Sequence, residues 1–464
     1  MSVITVNFSD VISSSAPEDC FRQYVMPTAF KIETLLQTKD LFDSHLSYFE
    51  KASEHFALCG IGVSKIFELD NGEEISSLHH RVWQSLSGTV IRPAQEISTI
   101  TEPTVLGGFR FNKNTEPDEI WENFGYGHMI LPKILLTKRL LNKHSDETVT
   151  FLTISPGVSS LEASAILAQL ETLEAPDCCD DSKSITSVNT DVDRDAWKSS
   201  VKTISKGVRK NQYRKAVLAA RKMLTGQFKI ASVLGSLRRS YPECFLFCFS
   251  IPRGEEGVIS FVGATPELLV SLDDNNIKSL ALAGSIGRGT DRSTDTENAL
   301  TLTRSHKDIA EHDEVIAEIS NRLRPITNSV LVEPTRLRRL NNIQHLSTGI
   351  TAEARVESNL LKLVEVLHPT PAVCGAPREI AWDVIGEHEQ FDRGWYAAPV
   401  GWMDARGEGE FAVALRSALV EEGKAWLFAG NGIVAQSKPE IELQEVNLKF
   451  KPLSDALGSA QDGY

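Results

Sequence analysis

Residues 261–282 read FVGATPELLVSLDDNNIKSLAL, and this stretch indicates the fold class. Two apolar runs, Leu268 to Leu272 and Ile277 to Leu282, flank the polar sequence DDNN, which is typical of a β-hairpin. A second pair of apolar runs, Phe411 to Val420 and Ala425 to Ile433, flanks EEGK and predicts another hairpin. Because helical segments lie between these hairpins, the sequence predicts an α+β fold with antiparallel sheet rather than an array of βαβ units.

The segments around these hairpins are predicted to mix strands and helices. Further strands are predicted at Phe56 to Phe67, Val105 to Phe111, Val149 to Ile154, Lys215 to Ala219 and Cys244 to Ile251. Helices are predicted at Ser160 to Leu173, Thr296 to Arg324, Ser358 to Leu367 and Pro439 to Leu457. The last of these begins with proline and glutamate, which favour the first turn of a helix.

A shift in composition divides the chain. Residues 176–195 read PDCCDDSKSITSVNTDVDRD, with six aspartates and neither leucine nor phenylalanine. Such a segment buries too little apolar surface to offset the entropy lost on ordering, so we expect an exposed acidic loop or linker. It separates an N-terminal part of the fold, residues 1–175, from a C-terminal part, residues 196–464, which carries most of the recognisable chemistry.

Composition excludes several classes of protein. The 464-residue chain has 62 acidic and 48 basic residues, and its net charge of −14 makes nucleic acid an unexpected partner. No apolar run reaches the length of about 20 residues that a membrane span needs, and the first 15 residues do not resemble a signal peptide. The seven cysteines form no CxxC pair, so unpaired thiols in a reducing cytoplasm are expected. A monomer is the default expectation.

Carboxylates recur three residues apart on two predicted helices. Asp308 and Glu311 share a face of one helix, because residues i and i+3 are neighbours on a helix. Glu442 and Glu445 share a face of the other. If the two helices face each other, these oxygen ligands surround one point and suit Mg²⁺. The spacing alone leaves open the alternative of two solvated acidic faces.

Two further residues have side chains suited to acid–base chemistry. Glu267 follows a strand and a rigid Thr-Pro turn, which makes it a candidate general acid, or alternatively an ordinary residue at a helix start. Lys215 lies beside the apolar sequence AVLA and would be a candidate base if a cleft desolvated it. The alternative for Lys215 is a side chain that extends past the strand to water.

Three glycine-containing segments could bring backbone N–H groups close to an anion. They are Ala283-Gly284-Ser285, Cys374-Gly375-Ala376-Pro377 and Gly430-Asn431-Gly432. Each is equally compatible with an ordinary turn. The chain has neither a Walker A sequence nor GxGxxG, so nucleotide binding has little support.

Taken in order, these segments resemble the chorismate-utilising enzyme family, which includes isochorismate, salicylate, anthranilate and aminodeoxychorismate synthases. The segments that carry the resemblance are KAVLAAR (215–221), FVGATPELL (261–269), LAGSIGRG (282–289), KDIAEHDEV (307–315), QHL (344–346), HPTPAVCGAP (368–377), Gly401 to Arg416, FAGNGIV (428–434) and ELQEVNLK (442–449). The resemblance implies a fold like that of anthranilate synthase component I, with curved antiparallel sheets wrapped by helices around a central cleft. That cleft would take chorismate and Mg²⁺.

The resemblance also implies roles for particular residues. Glu311 and Glu445 match the family's Mg²⁺ ligands, and Asp308 and Glu442 match the acidic residues beside them. The positions that match those holding or lining the substrate are Gly284, Ser285, His345, Arg416, Gly432 and Lys449.

Three positions separate the activities within the family. Lys215 stands where anthranilate synthases carry Gln, so water rather than ammonia is the expected nucleophile. Ala283 stands where typical aminodeoxychorismate synthases carry a nucleophilic Lys. Ala372, expected beside the substrate, stands where salicylate and anthranilate synthases usually carry Thr, and isochorismate synthases resemble this chain there.

The expected activity is therefore the Mg²⁺-dependent isomerisation of chorismate to isochorismate, which supplies siderophore, quinone or salicylate biosynthesis. Lys215 would activate the attacking water, and Glu267 would protonate the departing hydroxyl. Two alternatives stay open: a salicylate synthase, which adds pyruvate elimination, and a catalytically silent partner protein with a chorismate pocket. The chain departs from the family at Asn431, where Ala is common.

Overall fold

The computed structural model describes residues 17–26, 30, 32–35, 45–92, 101–142, 146–171, 185–190, 192–254 and 257–458. Most of the described strands belong to two large sheets. The first sheet, in spatial order, consists of β10 (Ile185–Thr190), β11 (Lys215–Gly226), β23 (Lys424–Ile433), β22 (Ser417–Glu421), β13 (Val258–Thr265), β12 (Phe245–Pro252), β2 (Leu46–Lys51), β3 (Phe56–Ile61), β8 (Ile134–Leu140), β9 (Thr148–Ile154), β1 (Phe21–Val25) and β5 (Val90–Ile91), with β19 (Gly375–Ala376) beside β11. Of its described pairs, β1–β5 is parallel and the others are antiparallel.

The second sheet is antiparallel throughout its described pairs. In spatial order it consists of β16 (Thr327–Val332), β18 (Ile343–Ala354), β15 (Asn276–Gly287), β14 (Leu268–Asp273), β21 (Gly409–Val413), β20 (Pro399–Asp404), β6 (Thr104–Phe109), β7 (Gly127–Leu131) and β4 (Lys65–Glu68), with β17 (Arg336–Arg339) beside β18. The two hairpins predicted around DDNN and EEGK are present as β14–β15 and β22–β23.

Helices pack against both sheets. The described α-helices are α1 (Ile32–Leu35), α2 (Leu78–Leu86), α3 (Ser160–Glu171), α4 (Arg194–Arg209), α5 (Ile230–Ser240), α6 (Arg292–Arg304), α7 (His306–Leu323), α8 (Leu360–Leu367), α9 (Arg378–His388) and α10 (Pro439–Leu457). Short 3₁₀ helices occur at Ala52–Glu54, Ile75–Ser77, Glu119–Phe124 and Arg324–Ile326. Helices α4, α5 and α10 contact the first sheet, and α6 and α7 contact the second.

Strands from both sides of the acidic segment share each sheet. In the first sheet β2 pairs with β12, and in the second β6 pairs with β20. The acidic segment itself is not a loop throughout, because it includes β10, which pairs with β11, and α4 begins at Arg194. The Asp193 side chain caps α4 by accepting hydrogen bonds from the N–H groups of Asp195 and Ala196. Residues 172–184 and 191 of this region lie outside the described residues.

Two predicted elements are wrong in their continuity. The helix expected over Thr296 to Arg324 is two helices, because Ser305 adopts an extended conformation and its Oγ caps α7 at the N–H of Asp308. The strand expected over Phe411 to Val420 is also divided. Residues 414–416 leave the second sheet at the end of β21 and enter the first sheet at β22. The sequence of this apolar run does not indicate where the chain changes sheet, because the strands on both sides of the crossing are buried.

The core contains aromatic rings contributed by both parts of the chain. Trp121, from the 3₁₀ helix Glu119–Phe124, packs edge-on against Phe261 of β13 and also contacts Phe428 of β23. Trp395 contacts Phe261 and Phe249 of the first sheet. These side chains are fully or almost fully buried, so the N-terminal part completes the core beneath the C-terminal strands.

Two expectations from composition concern the described residues. The cysteines among them are free, buried thiols: Cys20, Cys59, Cys244, Cys248 and Cys374. Cys178 and Cys179 lie outside the described residues. Where the structure describes the chain, none of the helices combines the length and the apolar character that crossing a bilayer requires.

The contact of Trp121 with Gly394 gives a test of this core. Gly394 has φ of +53°, and a Cβ there would lie 2.0 Å from Cδ2 of Trp121. We expect Gly394→Ala to lower the free energy of unfolding by about 2–5 kcal/mol, because backbone strain adds to overpacking. The control Gly72→Ala has a similar φ of +73° with nothing within 4 Å, and should lose only about 1 kcal/mol. Denaturant unfolding measures both variants. Equal losses of unfolding free energy in the two would contradict the close contact between Gly394 and Trp121.

Candidate active site

One cleft of about 840 Å³ lies where β11 and β23 of the first sheet, β15 and β18 of the second, and helices α7 and α10 meet. This volume includes space that is open to solvent. The residues to which the resemblance assigned a catalytic, substrate or metal role line it, except Glu442: Lys215, Glu267, Gly284, Ser285, Asp308, Glu311, His345, Ala372, Arg416, Gly432, Glu445 and Lys449. Ala283 also lines the cleft.

Lys215 and Glu311 meet across β23. The Lys215 side chain is 4% exposed and its Nζ donates a hydrogen bond to Oε1 of Glu311 at 2.7 Å, so the alternative of a lysine that extends to water is wrong. A Cβ at Gly432 would lie 2.4 Å from Cε of Lys215 and 2.8 Å from Oε1 of Glu311. Residue 432 is therefore glycine because these two side chains occupy the space above it.

Glu267 and Arg416 are brought into the cleft by two crossings of the chain between the sheets. Residues 266–267 link β13 of the first sheet to β14 of the second, so the helix-start alternative for Glu267 is wrong. Residues 414–416 make the return crossing, and the N–H of Ala264 donates to the carbonyl of Arg416 at 3.1 Å. Arg416 has φ of +48°, a conformation that costs a non-glycine residue about 1–3 kcal/mol and occurs mainly at functional sites.

The environment of Glu267 favours its protonated form. The residue is 2% exposed, and burial raises the pKa of its carboxyl group to about 8, despite the opposing positive charges of Lys215, Arg416 and Lys449. Glu267 therefore holds a proton at neutral pH, which is the state a general acid requires. Burial of the carboxyl group is what keeps this proton bound.

His345 lines the cleft and also contacts Arg416. Its Nε2 lies 3.2 Å from an Arg416 N–H group, and its Nδ1 lies 3.2 Å from the carbonyl of Gly284 and 3.0 Å from Oγ of Ser285. Because arginine only donates hydrogen bonds, Nε2 is the acceptor and Nδ1 carries the proton that faces the carbonyl. Burial and the charge of Arg416 lower the pKa of His345 well below its usual value, which keeps the ring neutral. His345 therefore orients the guanidinium group.

The other glycine segments divide into two groups. In β15 the register against β18 shifts between Ala283 and Ser285, and Gly284 adopts φ of +72° at this bulge, with α7 close beside it. The segments 283–285 and 430–432 both contribute residues to the cleft. Residues Gly375–Ala376 instead pair with β11, and a Cβ at Gly375 would lie 2.3 Å from the carbonyl oxygen of Lys215. That glycine allows close backbone packing.

The carboxylates of α7 and α10 converge on one side of the cleft, so they are not two solvated faces. Asp308, Glu311 and Glu445 line the cleft, while Glu442 is 1% exposed behind them. Burial raises the pKa of Asp308, and the charges of Glu311 and Glu445 raise it further. Burial and the charge of Glu445 likewise raise the pKa of Glu442. Burial also acts to raise the pKa of Glu311, but Lys215 outweighs it and the pKa is lowered.

This donor set fits a hard divalent cation. Oε1 of Glu442 is buried without a hydrogen-bond partner, and the mutual repulsion of the carboxylates is the kind that a cation relieves. In the described part of the chain, no three histidine, cysteine or acidic side chains are already arranged as ligands. Glu311 is paired with Lys215, and Glu445 lies 2.8 Å from Nζ of Lys449. Binding a cation would therefore require these two carboxylates to leave their lysines.

Three cleft residues were not found from the sequence. Lys307 precedes Asp308, and its Nζ lies 3.5 Å from Oε1 of Glu442. Arg393 is 3% exposed and donates to the carbonyls of Val217 and Val373, which ties the segment around Ala372 to β11. Tyr396 is buried at the cleft wall, and burial raises its pKa to about 12. Lys307 is the first residue of the recognised segment 307–315, whereas Arg393 and Tyr396 lie between the recognised segments 368–377 and 401–416.

Taken together, the cleft combines an amine, a protonated carboxyl group, a fixed guanidinium group and a carboxylate cluster. Lys215, Arg416 and Lys449 provide positive charge for an anionic ligand inside an acidic protein. Glu267 provides a proton and Lys215 an amine within the same cavity. The arrangement is suited to acid–base chemistry on a small, negatively charged molecule.

Comparison with known proteins gives the same family as the residues. The profile of the family described as chorismate binding enzyme matches residues 20–458. The isochorismate synthase MenF of Bacillus subtilis is 34% identical over 426 residues, which cover 89% of this chain and 87% of that protein. The salicylate biosynthesis isochorismate synthase of Pseudomonas aeruginosa is 33% identical over 402 residues, covering 84% of this chain and 80% of that protein.

Solved structures confirm the fold expected from the resemblance. The putative 2,3-dihydroxybenzoate-specific isochorismate synthase DhbC from Bacillus anthracis superposes with a TM-score of 0.70 at 26% identity, covering 92% of this chain and 100% of that chain. Anthranilate synthase component I from Streptococcus pneumoniae has the same fold, with a TM-score of 0.69 at 20% identity, covering 86% of this chain and 92% of that chain. The chain belongs to the chorismate-binding enzyme family.

Proposed function

We propose that this chain is an isochorismate synthase, which converts chorismate to isochorismate with water as the nucleophile. The observation that carries the proposal is that Lys215 and Glu267 open into one cleft beside the carboxylate cluster. The relatives named above are isochorismate synthases and cover most of the chain. Alanine at position 283 supports the choice within the family, since it leaves no lysine there to act as a nucleophile.

Chorismate carries two carboxylates, and the cleft offers cations for both. Arg416, held by His345, and Lys449 would pair with the substrate carboxylates, while the glycines at 284 and 432 let Asp308, Lys215 and Glu311 approach the backbone closely. Residues so placed supply orientation before the chemical step, which lowers its entropic cost. Ala372 would contribute an apolar contact at the wall of the cleft.

The carboxylate cluster would hold Mg²⁺, with Glu311 and Glu445 as direct ligands and Asp308 and Glu442 beside them. When bound, this cation neutralises the ring carboxylate and orients it. The Oε1 of Glu442, which is buried without a hydrogen bond, and the repulsion among the carboxylates support the assignment.

The reaction adds one water and releases one. Lys215 can act as a base only as the neutral amine, so its ammonium group would first release a proton to solvent and give up its ion pair with Glu311. The amine would then take a proton from the water that attacks ring C2. The double bonds then shift, and Glu267 would protonate the hydroxyl that leaves C4 as water. The proton that water gives to Lys215 is matched by the proton that Glu267 gives up, so the sum is an isomerisation.

Product analysis tests the proposal directly. Chorismate and Mg²⁺ are incubated with the protein, and the products are separated by chromatography. Isochorismate alone is the expected product. Pyruvate with salicylate would instead identify a salicylate synthase, and no turnover would favour a silent chorismate-pocket protein. Relatives are named for salicylate biosynthesis, as vibriobactin-specific in Vibrio cholerae and as menaquinone-specific in Escherichia coli, so the siderophore, quinone and salicylate routes all stay open for the product. Activity as a monomer in the cytoplasm stays a prediction.

The role of Lys215 gives the first prediction. Lys215→Ala should lower isochorismate formation by about 10²–10⁴-fold, because the base is lost. Chorismate binding, followed by calorimetry, should remain, since Arg416 and Lys449 are unchanged. The exposed Lys210→Ala serves as the control for loss of one positive charge. Full activity in Lys215→Ala would remove Lys215 as the base.

The pKa of Glu267 predicts how the rate depends on pH. The carboxyl group is protonated below its pKa of about 8, so kcat/KM should fall as pH rises through that value, approaching tenfold per unit. Glu267→Gln should be slow at every pH and should lack this limb of the profile. Glu410→Gln is the matched control, because burial raises the pKa of Glu410 to about 7 but the residue does not line the cleft. A Glu267→Gln enzyme that keeps the same alkaline limb would contradict the assignment.

Metal removal gives a third prediction. Chelation should abolish turnover, and added Mg²⁺ should restore it. Glu311→Gln should raise the Kd for Mg²⁺, measured by calorimetry, by at least about tenfold, since a direct anionic ligand is lost. Glu318→Gln lies on the same helix and pairs with Arg322 at 2.8 Å, so it should leave the Kd unchanged. Equal Kd values for the two variants would place the cation elsewhere.

A further inference from the structure

Asn431 lies on β23 between Gly430 and Gly432, which both line the cleft. Side chains alternate along a strand, and the Asn431 side chain contacts α10 rather than lining the cleft. The residue is 1% exposed. Any effect of Asn431 on the cleft is therefore exerted through the residues it contacts.

Both ends of the Asn431 amide are used. Its Nδ2 donates to the backbone carbonyl of Glu442 at 2.6 Å and lies 3.3 Å from Oε2 of the same residue. Its Oδ1 accepts from Nζ of Lys449 at 3.1 Å. A single neutral side chain thus contacts a carboxylate of the cluster and a cation of the cleft, which needs both a donor and an acceptor.

The contact completes the hydrogen bonding of Lys449. Its ammonium group has three protons, and three acceptors surround it: the carbonyl of Gly430 at 2.9 Å, Oδ1 of Asn431 at 3.1 Å and Oε1 of Glu445 at 2.8 Å. If a cation takes Glu445, Gly430 and Asn431 are the acceptors that keep Lys449 in place.

The contact also supports Glu442, which has few partners. Its Oε1 has no hydrogen bond and only the Lys307 ammonium group at 3.5 Å, so loss of the Asn431 donor would leave this buried carboxylate with Lys307 and Ser437 as its partners. Glu442 lies in the first turns of α10, three residues before Glu445, so its anchoring fixes where Glu445 meets the cleft.

We infer that Asn431 is a positioning residue, which sets Lys449 for the substrate and Glu442 with Glu445 for the cation through one amide. The inference rests on the proposed function for the identity of the two ligands. It goes beyond that proposal because it assigns one residue, Asn431, to hold both the substrate-binding lysine and the cation-binding carboxylates in place.

The test measures both ligands in Asn431→Ala. The Kd for Mg²⁺, by calorimetry on the protein without substrate, should rise about tenfold, as expected for loss of a hydrogen bond to a buried charged group. The KM for chorismate should also rise about tenfold, with kcat changed less than threefold, because Lys449 holds ground state and transition state alike.

Asn342→Ala is the matched control. Asn342 also donates to α10, from Nδ2 to the backbone carbonyl of Leu448 at 3.1 Å, but does not line the cleft. Its variant should leave the Mg²⁺ Kd and the KM within twofold of the original protein. Equal effects in the two alanine variants would reduce Asn431 to a general contact of α10 and overturn the inference.

Asn431→Asp keeps the shape and the oxygen that faces Lys449 but removes the donor to Glu442, so it separates the contact with Lys449 from the contact with Glu442. Its KM for chorismate should stay within about threefold of the original, as the acceptor is retained. A KM as high as that of Asn431→Ala would contradict the part of the inference that concerns Lys449. If the original protein makes no isochorismate, the proposed function fails, whereas the calorimetric Mg²⁺ comparison still decides the role of Asn431.

Discussion

A backbone hydrogen bond from the N–H of Ala264 to the carbonyl of Arg416 joins the two places where the chain crosses between the sheets. The crossings are adjacent, so Glu267 after one and Arg416 at the other both enter the same buried space. An acidic group that must keep its proton and a cation that must face an anion need this degree of burial. Everything else in the cleft is arranged around these two positions.

The charges of the cleft are balanced by close pairing. Lys215 pairs with Glu311, Lys449 with Glu445 and Lys307 with Glu442, and Asp308 remains beside them. Buried ions without partners are destabilising, so these pairs allow the site to exist before any ligand arrives. The same pairs would have to rearrange when a cation binds, which gives residues behind the cleft, such as Asn431, a reason to hold their neighbours in place.

Several features could be predicted from the sequence because they depend on local chemistry. The hairpins follow from polar turns between apolar runs, and the carboxylate pairs follow from their spacing on helices. The break at Ser305 and the change of sheet at residues 414–416 were not predicted. Both occur within stretches whose residue pattern is continuous. The sequence does not reveal them, because a helix cap and a crossing between sheets depend on what packs around the backbone. Lys307, Arg393 and Tyr396 were missed because their place in the cleft likewise depends on which distant segments pack together.

The sequence by itself determined the family, the α+β class and the identity of the groups available for chemistry, since these depend on residue types in a given order. Only the tertiary structure decided that Glu267 keeps its proton, that His345 orients Arg416 and that residue 432 has no space for a side chain. Each of these is a property of burial or of contact between segments far apart in the chain. The physical reason is that desolvation and close packing depend on three-dimensional neighbours, which residue order does not specify.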